Sequence, residues 1–358
     1  MKRKALWISI IGILLIGFVC LFCYRHYIRQ KQIEQKKHTG LVSEDFPIQD
    51  IKHQSKNIYE DAYQTEADNQ LQNMRNNNSY TIEDPLLVWN PYGTNTGSFY
   101  YYGVSEQDSY VVCEVTCNNG NVIKHRLKND SDSGVTKTHE YLITGLAPGL
   151  ENHFSLAFYD AGNNLIHTYQ YTVTLKKDKQ IPAITKVEKG NSKSSLTDGL
   201  FAVLGHDKSK AKNIYYYDNN GICRGKTPLN DYRTDRILTI DGKLVYSYSL
   251  TDIAFVNRLG KVEKTLSLGK YELHHDFMYD EKRNELLCLV NDTDKDTIED
   301  VLISVNIETG KIKKLVDFEK MMKSMRKRSV QRKGGKNTYG GTELDWLHLN
   351  SLDMINDK

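Results

Sequence analysis

The sequence has little cysteine and little proline, six residues of each in a chain of 358. The cysteines form no paired CxxC zinc pattern, since the one CxxC, from Cys20 to Cys23, lies inside an apolar run. No GxSxG motif occurs, and the paired glycines at 334–335 and 340–341 are not followed by the Gly-Lys-Ser/Thr of a phosphate loop. We therefore expect neither a metal nor a cofactor.

An excess of charge of one sign is also missing. The chain has 48 Lys and Arg against 45 Asp and Glu, a formal net charge of +3. Nucleic-acid-binding domains are expected to be strongly basic, so the sequence predicts no nucleic-acid partner. Composition leaves homo-oligomerisation open.

One long apolar run is present, residues 5–24, and it contains no charged side chain. A helix of this length spans the hydrocarbon core of a bilayer, which is about 30 Å thick. The run ends without the small residues of a signal-peptidase site. We therefore expect residues 1–24 to be an uncleaved signal anchor that passes once through the cell membrane. Arg25 and Arg29 compete with the N-terminal Lys and Arg under the positive-inside rule, so charge alone does not fix the orientation.

Residues 25–80 are polar, with a thin apolar stripe at roughly helical spacing. They predict a partly helical stalk. Residues 84–175 contain short runs rich in Tyr, Phe and β-branched residues, separated by turn residues at regular intervals. This regular alternation of short strands and turns is typical of a β-sandwich. Gly145 to Gly149 look like the loop of fibronectin-type sandwiches.

Residues 183–358 contain a series of hairpins with tight turns, for example at Asp241-Gly242 between two alternating runs. Such small antiparallel meanders recur at the spacing of propeller blades, although no WD or kelch signature is present. The predicted fold is therefore all-β, with an N-terminal membrane anchor, an Ig- or fibronectin-like β-sandwich and an incomplete β-propeller.

Two short runs in this second region combine residues suited to catalysis. Residues 274–276 are His-His-Asp, and residues 345–351 are Asp-Trp-Leu-His-Leu-Asn-Ser. If the second run is extended, alternation puts Trp346, His348 and Asn350 on one face. If the first run is extended, the rings of His274 and His275 point to opposite faces.

Both runs, with the segment 86–102, resemble the arylsulfate sulfotransferase family. These bacterial enzymes move sulfuryl groups between phenols through a sulfated histidine. The resemblance implies that His348 contacts the sulfuryl group and favours His275 over His274 as its partner, while Asp276 orients an imidazole or satisfies a turn. Trp346, Asn350 and Asp276 are candidates for binding the substrate.

The resemblance also implies an aryl sulfate donor, a phenolic acceptor and a body outside the cytoplasm, periplasmic or extracellular. In the family an arginine and the histidine that becomes sulfated come after the Asp-Trp-x-His motif, and the sequence ends at Lys358 before either. We therefore expect a C-terminally truncated sulfotransferase with little activity by itself.

Two alternatives stay open. The first is a non-catalytic, membrane-anchored β-propeller that acts as a binding or scaffold protein. The second is a calcium-dependent adhesin, since Asp292, Asp294 and Asp296 alternate as in calcium loops but lack the Gly and Glu of an EF-hand.

Overall fold

The structure, a computed structural model, describes residues 24, 25, 27, 48–131, 133–181, 188, 199–204, 212–231, 234–329 and 341–355. The predicted anchor, residues 1–24, lies outside these residues except for Tyr24, as does most of the first half of the predicted stalk. Across the part of the chain that is described, no helix is both long enough and apolar enough to cross a membrane.

Strands dominate the described residues, so the predicted all-β class is confirmed. The strands are β1 (Leu86–Trp89), β2 (Ser98–Cys117), β3 (Ile123–Arg126), β4 (Thr136–Thr144), β5 (Glu151–Tyr159), β6 (Leu165–Thr174), β7 (Phe201–Val203), β8 (Asn213–Tyr217), β9 (Cys223–Pro228), β10 (Ile237–Ile240), β11 (Lys243–Ser247), β12 (Asp252–Val256), β13 (Val262–Ser267), β14 (Tyr271–Asp280), β15 (Glu285–Asp292), β16 (Val301–Asn306) and β17 (Ile312–Asp317). The helices are α1 (Asp61–Asn77), α2 (Phe318–Met321) and α3 (Lys323–Arg326).

The long strand β2 takes part in two antiparallel half-sheets. Its first half pairs with β1 and β4, and its second half pairs with β3 and β5, which continues to β6. The β2–β4 register breaks between Val104 and Ser109, and an irregularity of this kind lets one strand bend from one sheet into the next. Phe99 from the first half and Val111 from the second half lie in one buried cluster, so the two half-sheets share a core.

Helix α1 lies on this pair of half-sheets. Ala67 and Leu71 are four residues apart and so lie on the same face of the helix. Both are buried against Leu86 and Val88 of β1. Gln64, on the same helix, donates hydrogen bonds to the carbonyl oxygens of Ile58 and Tyr92, at 2.6 and 3.2 Å. This part of the predicted stalk therefore packs against the β-sheets.

The second β region contains three antiparallel meanders in chain order: β7–β9, β10–β13 and β14–β17. The middle meander is buried on both faces. Along β12, Ile253 and Phe255 enter a cluster shared with β14–β16, while Ala254 and Val256 enter a cluster shared with β8. Successive strand side chains point to opposite faces, so an unbroken apolar run is needed where both faces are covered. Sheet therefore stacks on sheet in sequence order, and the propeller interpretation of this stack stays a prediction.

Arg224 of β9 joins the two β regions. Its side chain is fully buried, and its Nε donates to Asp218 Oδ2 at 2.8 Å. Its two terminal nitrogens donate to carbonyl oxygens of the first region, Gly145 O at 2.7 Å and Asn121 O at 2.5 Å. A Cβ on Gly97 would lie 1.8 Å from Arg224 O, so the backbones meet where only glycine fits.

Candidate functional site

The His-His-Asp run forms an irregularity in β14. This strand pairs with β15, but the register breaks between Leu273 and Phe277, and the run lies within that break. His275 has a φ of +56°, in the left-handed region. Bulges turn side chains away from strict alternation and are frequent beside active sites. The rings of His274 and His275 consequently lie near one another, with centroids 5.1 Å apart, and the alternation expected of an extended run is absent.

The run 345–351 is not a strand either. The chain bends at Trp346 and Leu347, and His348 has a φ of +54°. His348 Nδ1 lies 2.9 Å from Asp345 Oδ2, although an extended strand would put these residues on opposite faces. Trp346 instead donates from Nε1 to Asp300 Oδ2 at 2.9 Å, and Asn350 is exposed. The expected common face of Trp346, His348 and Asn350 is therefore wrong, because the backbone turns between them.

The structure does bring the two histidine runs together. The ring centroids of His275 and His348 are 5.5 Å apart. His274 is buried, whereas the side chains of His275 and His348 are 21% and 35% exposed and so remain accessible to a ligand. The roles assigned to these residues stay predictions, but their convergence meets the geometric requirement for a shared site.

Glu299 lies between the two histidines and was not anticipated from the sequence. Its Oε2 is 2.5 Å from His348 Nδ1, and its Oε1 is 3.9 Å from His275 Nε2. Asn291 Oδ1 accepts a hydrogen bond from the Glu299 N–H at 2.7 Å and fixes the loop before β16. Nothing local distinguishes this residue from the other acidic side chains, since its position depends on packing between distant segments.

His275, Glu299 and His348 all have left-handed backbone, with φ of +56°, +59° and +54°. Non-glycine residues held in this region cost about 1–3 kcal/mol each, and they cluster at binding and catalytic sites. Three such residues in mutual contact indicate that surrounding packing holds an unfavourable arrangement in place.

Residues 185–358 match the family model described as Arylsulfotransferase (ASST). This part of the chain belongs to the arylsulfate sulfotransferase family. Both histidine runs and Glu299 lie in the matched residues.

Comparisons outside the family are distant. No curated protein matches the chain significantly. A solved structure of Sqt1 from Saccharomyces cerevisiae is 13% identical, with a TM-score of 0.25, and covers 65% of this chain and 61% of its own. KlHsv2 with loop 6CD replaced by a Gly-Ser linker is 9% identical, with a TM-score of 0.23 and coverage of 62% and 64%. The chain thus spans about three fifths of the length of these two structures, and similarity at this level supports no conclusion about its fold.

In the arylsulfotransferase domain, Asp276 holds the two runs against each other. Arg236 donates from Nη1 to Asp276 Oδ1, and the backbone N–H of Leu352 donates to Oδ2 at 2.9 Å. Both carboxylate oxygens are therefore occupied by contacts within the protein. These contacts support a positioning role for Asp276, and its part in substrate binding stays a prediction. Asp235 Oδ2 fixes the bulge in a similar way, by accepting from the His275 N–H at 3.0 Å.

The tryptophan of the Asp-Trp-x-His motif is anchored by a buried ion pair. Asp300, which accepts from Trp346, also lies 2.9 Å from Lys295 Nζ. Burial alone would lower the pKa of Lys295, but hydrogen bonds to Asp300 and Asp317 raise it above its ordinary value. Lys295 therefore stays charged and holds Asp300 in position beneath the indole.

The arylsulfotransferase domain has a surplus of negative charge at this site. Among the described residues, Arg236 forms an ion pair with Asp276 and Lys295 forms one with Asp300, while the carboxylates of Glu299 and Asp345 lie against His348. An anionic ligand must find compensating positive charge there, and imidazoles can supply part of it.

Proposed function

We propose that the arylsulfotransferase domain binds the sulfate ester of a phenol between His275 and His348 and takes part in transfer of its sulfuryl group to a second phenol. The observation that carries this proposal is the convergence of two imidazoles, 5.5 Å apart, from remote parts of a family-matched domain. The turned backbone of the segment 345–351 supports it, because it directs His348 toward His275 and Glu299.

The overall reaction places defined demands on the site. The S–O bond of the donor ester breaks, an S–O bond to the acceptor forms, and the proton lost by the acceptor phenol is taken up by the departing phenoxide. The sulfuryl group of a sulfate ester spreads a single negative charge over its non-bridging oxygens. Its transfer therefore needs hydrogen-bond donors on those oxygens and a group that exchanges protons near neutral pH. Imidazole can meet both needs.

The contacts of His348 assign its two nitrogens. Nδ1 faces Glu299 Oε2 at 2.5 Å and Asp345 Oδ2 at 2.9 Å, and ionised carboxylates only accept hydrogen bonds. Nδ1 therefore carries a proton and donates, which leaves Nε2 as the nitrogen for a sulfuryl oxygen or a phenolic proton. Such a carboxylate partner fixes both the tautomer and the direction of the ring.

A binding experiment with a matched activity measurement tests the proposal. The purified 358-residue chain would be titrated with 4-nitrophenyl sulfate by calorimetry, and release of 4-nitrophenolate would be followed with and without phenol. We expect saturable binding that is weakened by about tenfold or more in His348→Ala and retained in His167→Ala, an exposed histidine of β6. Equal binding by the His348→Ala variant and the wild type would contradict the proposal and favour the scaffold alternative.

The activity measurement addresses a separate expectation. Low turnover by the chain alone stays a prediction, and phenol-dependent release of 4-nitrophenolate tests it directly. Rapid release that depends on both phenol and His348 would show that the chain is active by itself.

We also propose that residues 1–24 anchor the chain in the cell membrane, with the body on the extracytoplasmic side. The uncharged run at residues 5–24 supports the anchor, and the family resemblance supports the orientation. Protease added outside intact cells should degrade the body. Degradation only after the cells are permeabilised would contradict the orientation.

A further inference from the structure

Three side chains at the bulge form a compact set of potential metal ligands. His274, His275 and Glu299 each offer one ligand atom, and these atoms all lie within 4.8 Å of one another. We propose that they bind a divalent transition-metal ion of the zinc class. This inference goes beyond sulfuryl transfer and does not depend on it, because it concerns metal binding alone.

The distances favour coordination over direct hydrogen bonding. His275 Nε2 and Glu299 Oε1 are 3.9 Å apart, which is too long for a hydrogen bond. Around a tetrahedral zinc ion with bonds of about 2.0–2.2 Å, neighbouring ligand atoms lie roughly 3.4 Å apart. A shift of about half an ångström would therefore bring this pair to coordination distance. Two histidines with one glutamate is a ligand set of catalytic zinc sites, which keep a fourth position open.

The backbone explains how adjacent histidines can share one ion. On a regular strand His274 and His275 would point to opposite faces. The break in the β14–β15 register and the left-handed φ of His275 bring both rings toward Glu299. Asp235 holds this conformation through the His275 N–H.

Contacts of Glu299 orient it for this purpose. Glu299 Oε2 lies 2.5 Å from His348 Nδ1, which in turn makes a hydrogen bond with Asp345 Oδ2 at 2.9 Å. Ligating carboxylates normally have such a neighbouring partner, and here it leaves Oε1 to face His275 and the ion. A second compact group, Glu299 with Asp345 and His348, is also present, but its contacts already have hydrogen-bond lengths and need no ion.

A bound ion would change the charge of the site and therefore its binding of anions. The site has a surplus of carboxylates over cationic side chains, and Glu299 is 3% exposed. A divalent cation would offset this negative charge and leave an open coordination position for water or for an oxygen of an anion. With the ion bound, the His275 nitrogen that coordinates it could not also donate to a sulfuryl group.

The test measures metal binding directly. The 358-residue chain would be stripped with a chelator, then titrated with Zn²⁺ by calorimetry and with Co²⁺ by visible absorption. We expect one ion per chain and a cobalt spectrum typical of four-coordinate nitrogen and oxygen ligands. Glu299→Gln and His275→Gln should each weaken Zn²⁺ binding by more than about 100-fold, and Asp345→Asn by about 10- to 100-fold, as for residues that support a metal ligand. His167→Gln should bind Zn²⁺ like the wild type.

Buried His274 is avoided as the main variant, because its replacement can unfold the site. His275 is partly exposed, and circular dichroism would verify that its variant is folded. Wild-type affinity for Zn²⁺ in both Glu299→Gln and His275→Gln, or no stoichiometric binding by the wild type, would overturn the metal proposal. Titration of the stripped chain with 4-nitrophenyl sulfate separates this outcome from failure of the proposed function, since that binding is measured without the metal.

Discussion

Glu299 Oε2 lies 2.5 Å from His348 Nδ1, and both residues have left-handed backbone. Glu299 precedes β16, whereas His348 lies in the final described segment, which runs beside the Glu299 loop through the Thr297–Leu344 bridge. The site therefore depends on contacts between segments that are remote in the sequence, and a change in one segment should alter the other.

Asp276 should control the site without touching a ligand. Asp276→Ala removes the acceptor for the Arg236 guanidinium and the Leu352 N–H, contacts worth about 1.5–3 kcal/mol when a charge is involved. We expect faster amide hydrogen exchange at residues 345–355 and weaker binding of 4-nitrophenyl sulfate, by roughly 10- to 100-fold. Asp280→Ala, at the far end of the same strand, is the control. Unchanged exchange in the Asp276→Ala variant would contradict this role.

Arg224 should be essential to the junction of the two β regions. Arg224→Met leaves Asp218 buried without its ion pair and leaves the carbonyl oxygens of Gly145 and Asn121 without their donor. Breaking a buried pair by removing one partner costs about 3–5 kcal/mol. Urea denaturation should show a loss of that size. Arg126→Met, at an exposed position of β3 where the guanidinium lies over the Tyr110 ring, should cost about 1 kcal/mol or less. Similar losses in the two variants would refute the assignment.

Gly97 tests the same junction through sterics. Its added Cβ would meet the backbone oxygen of Arg224 at 1.8 Å, and a backbone atom cannot rotate away. Gly97→Ala should therefore lower the free energy of unfolding by about 3 kcal/mol, at the upper end of overpacking effects. Gly199→Ala is the control, since a Cβ added there would have no atom of the described residues within 4 Å. Thermal unfolding of the two variants provides the comparison, and equal midpoints would count against close contact at Gly97.

His139 should make the β2–β6 region sensitive to acid. It is fully buried among Ser105, Ser109 and Tyr141, and burial lowers its pKa from 6.5 to about 4. The unfolded chain takes up a proton below pH 6.5 that the folded protein excludes, so the stability is complete above pH 6.5 and falls as the pH approaches 4. The loss is up to about 3 kcal/mol.

The measurement for His139 is the free energy of unfolding at pH 7.5 and 4.5. His139→Gln should flatten the difference between these values, while His153→Gln, at an exposed position of β5, should preserve it. An acid-induced loss that is the same with and without His139 would show that other groups cause it.

Much of the β architecture follows from local sequence pattern. The turn at Asp241-Gly242 was expected between two strands, and both residues have left-handed φ, +48° and +75°, between β10 and β11. The unbroken apolar run in β12 likewise corresponds to burial on both faces. Such features are predictable because strand alternation and turn chemistry depend on neighbours in the sequence.

The candidate site was predictable only in part. The residue types of His275 and His348 marked them as candidates, but the left-handed turns that direct them depend on packing against Asp235, Glu299 and Asp276. Glu299 gave no signal, since one acidic residue before a buried strand resembles many others. Alternation therefore failed where tertiary contacts override the regular strand.

The most direct test of the central claim is a double-mutant cycle for 4-nitrophenyl sulfate binding, measured by calorimetry on the wild type, His275→Ala, His348→Ala and the double variant. If both imidazoles contact one sulfuryl group, each single change should weaken binding by about tenfold or more, and the double change should cost less than the two single costs combined. Wild-type affinity in either single variant would contradict a shared site at His275 and His348.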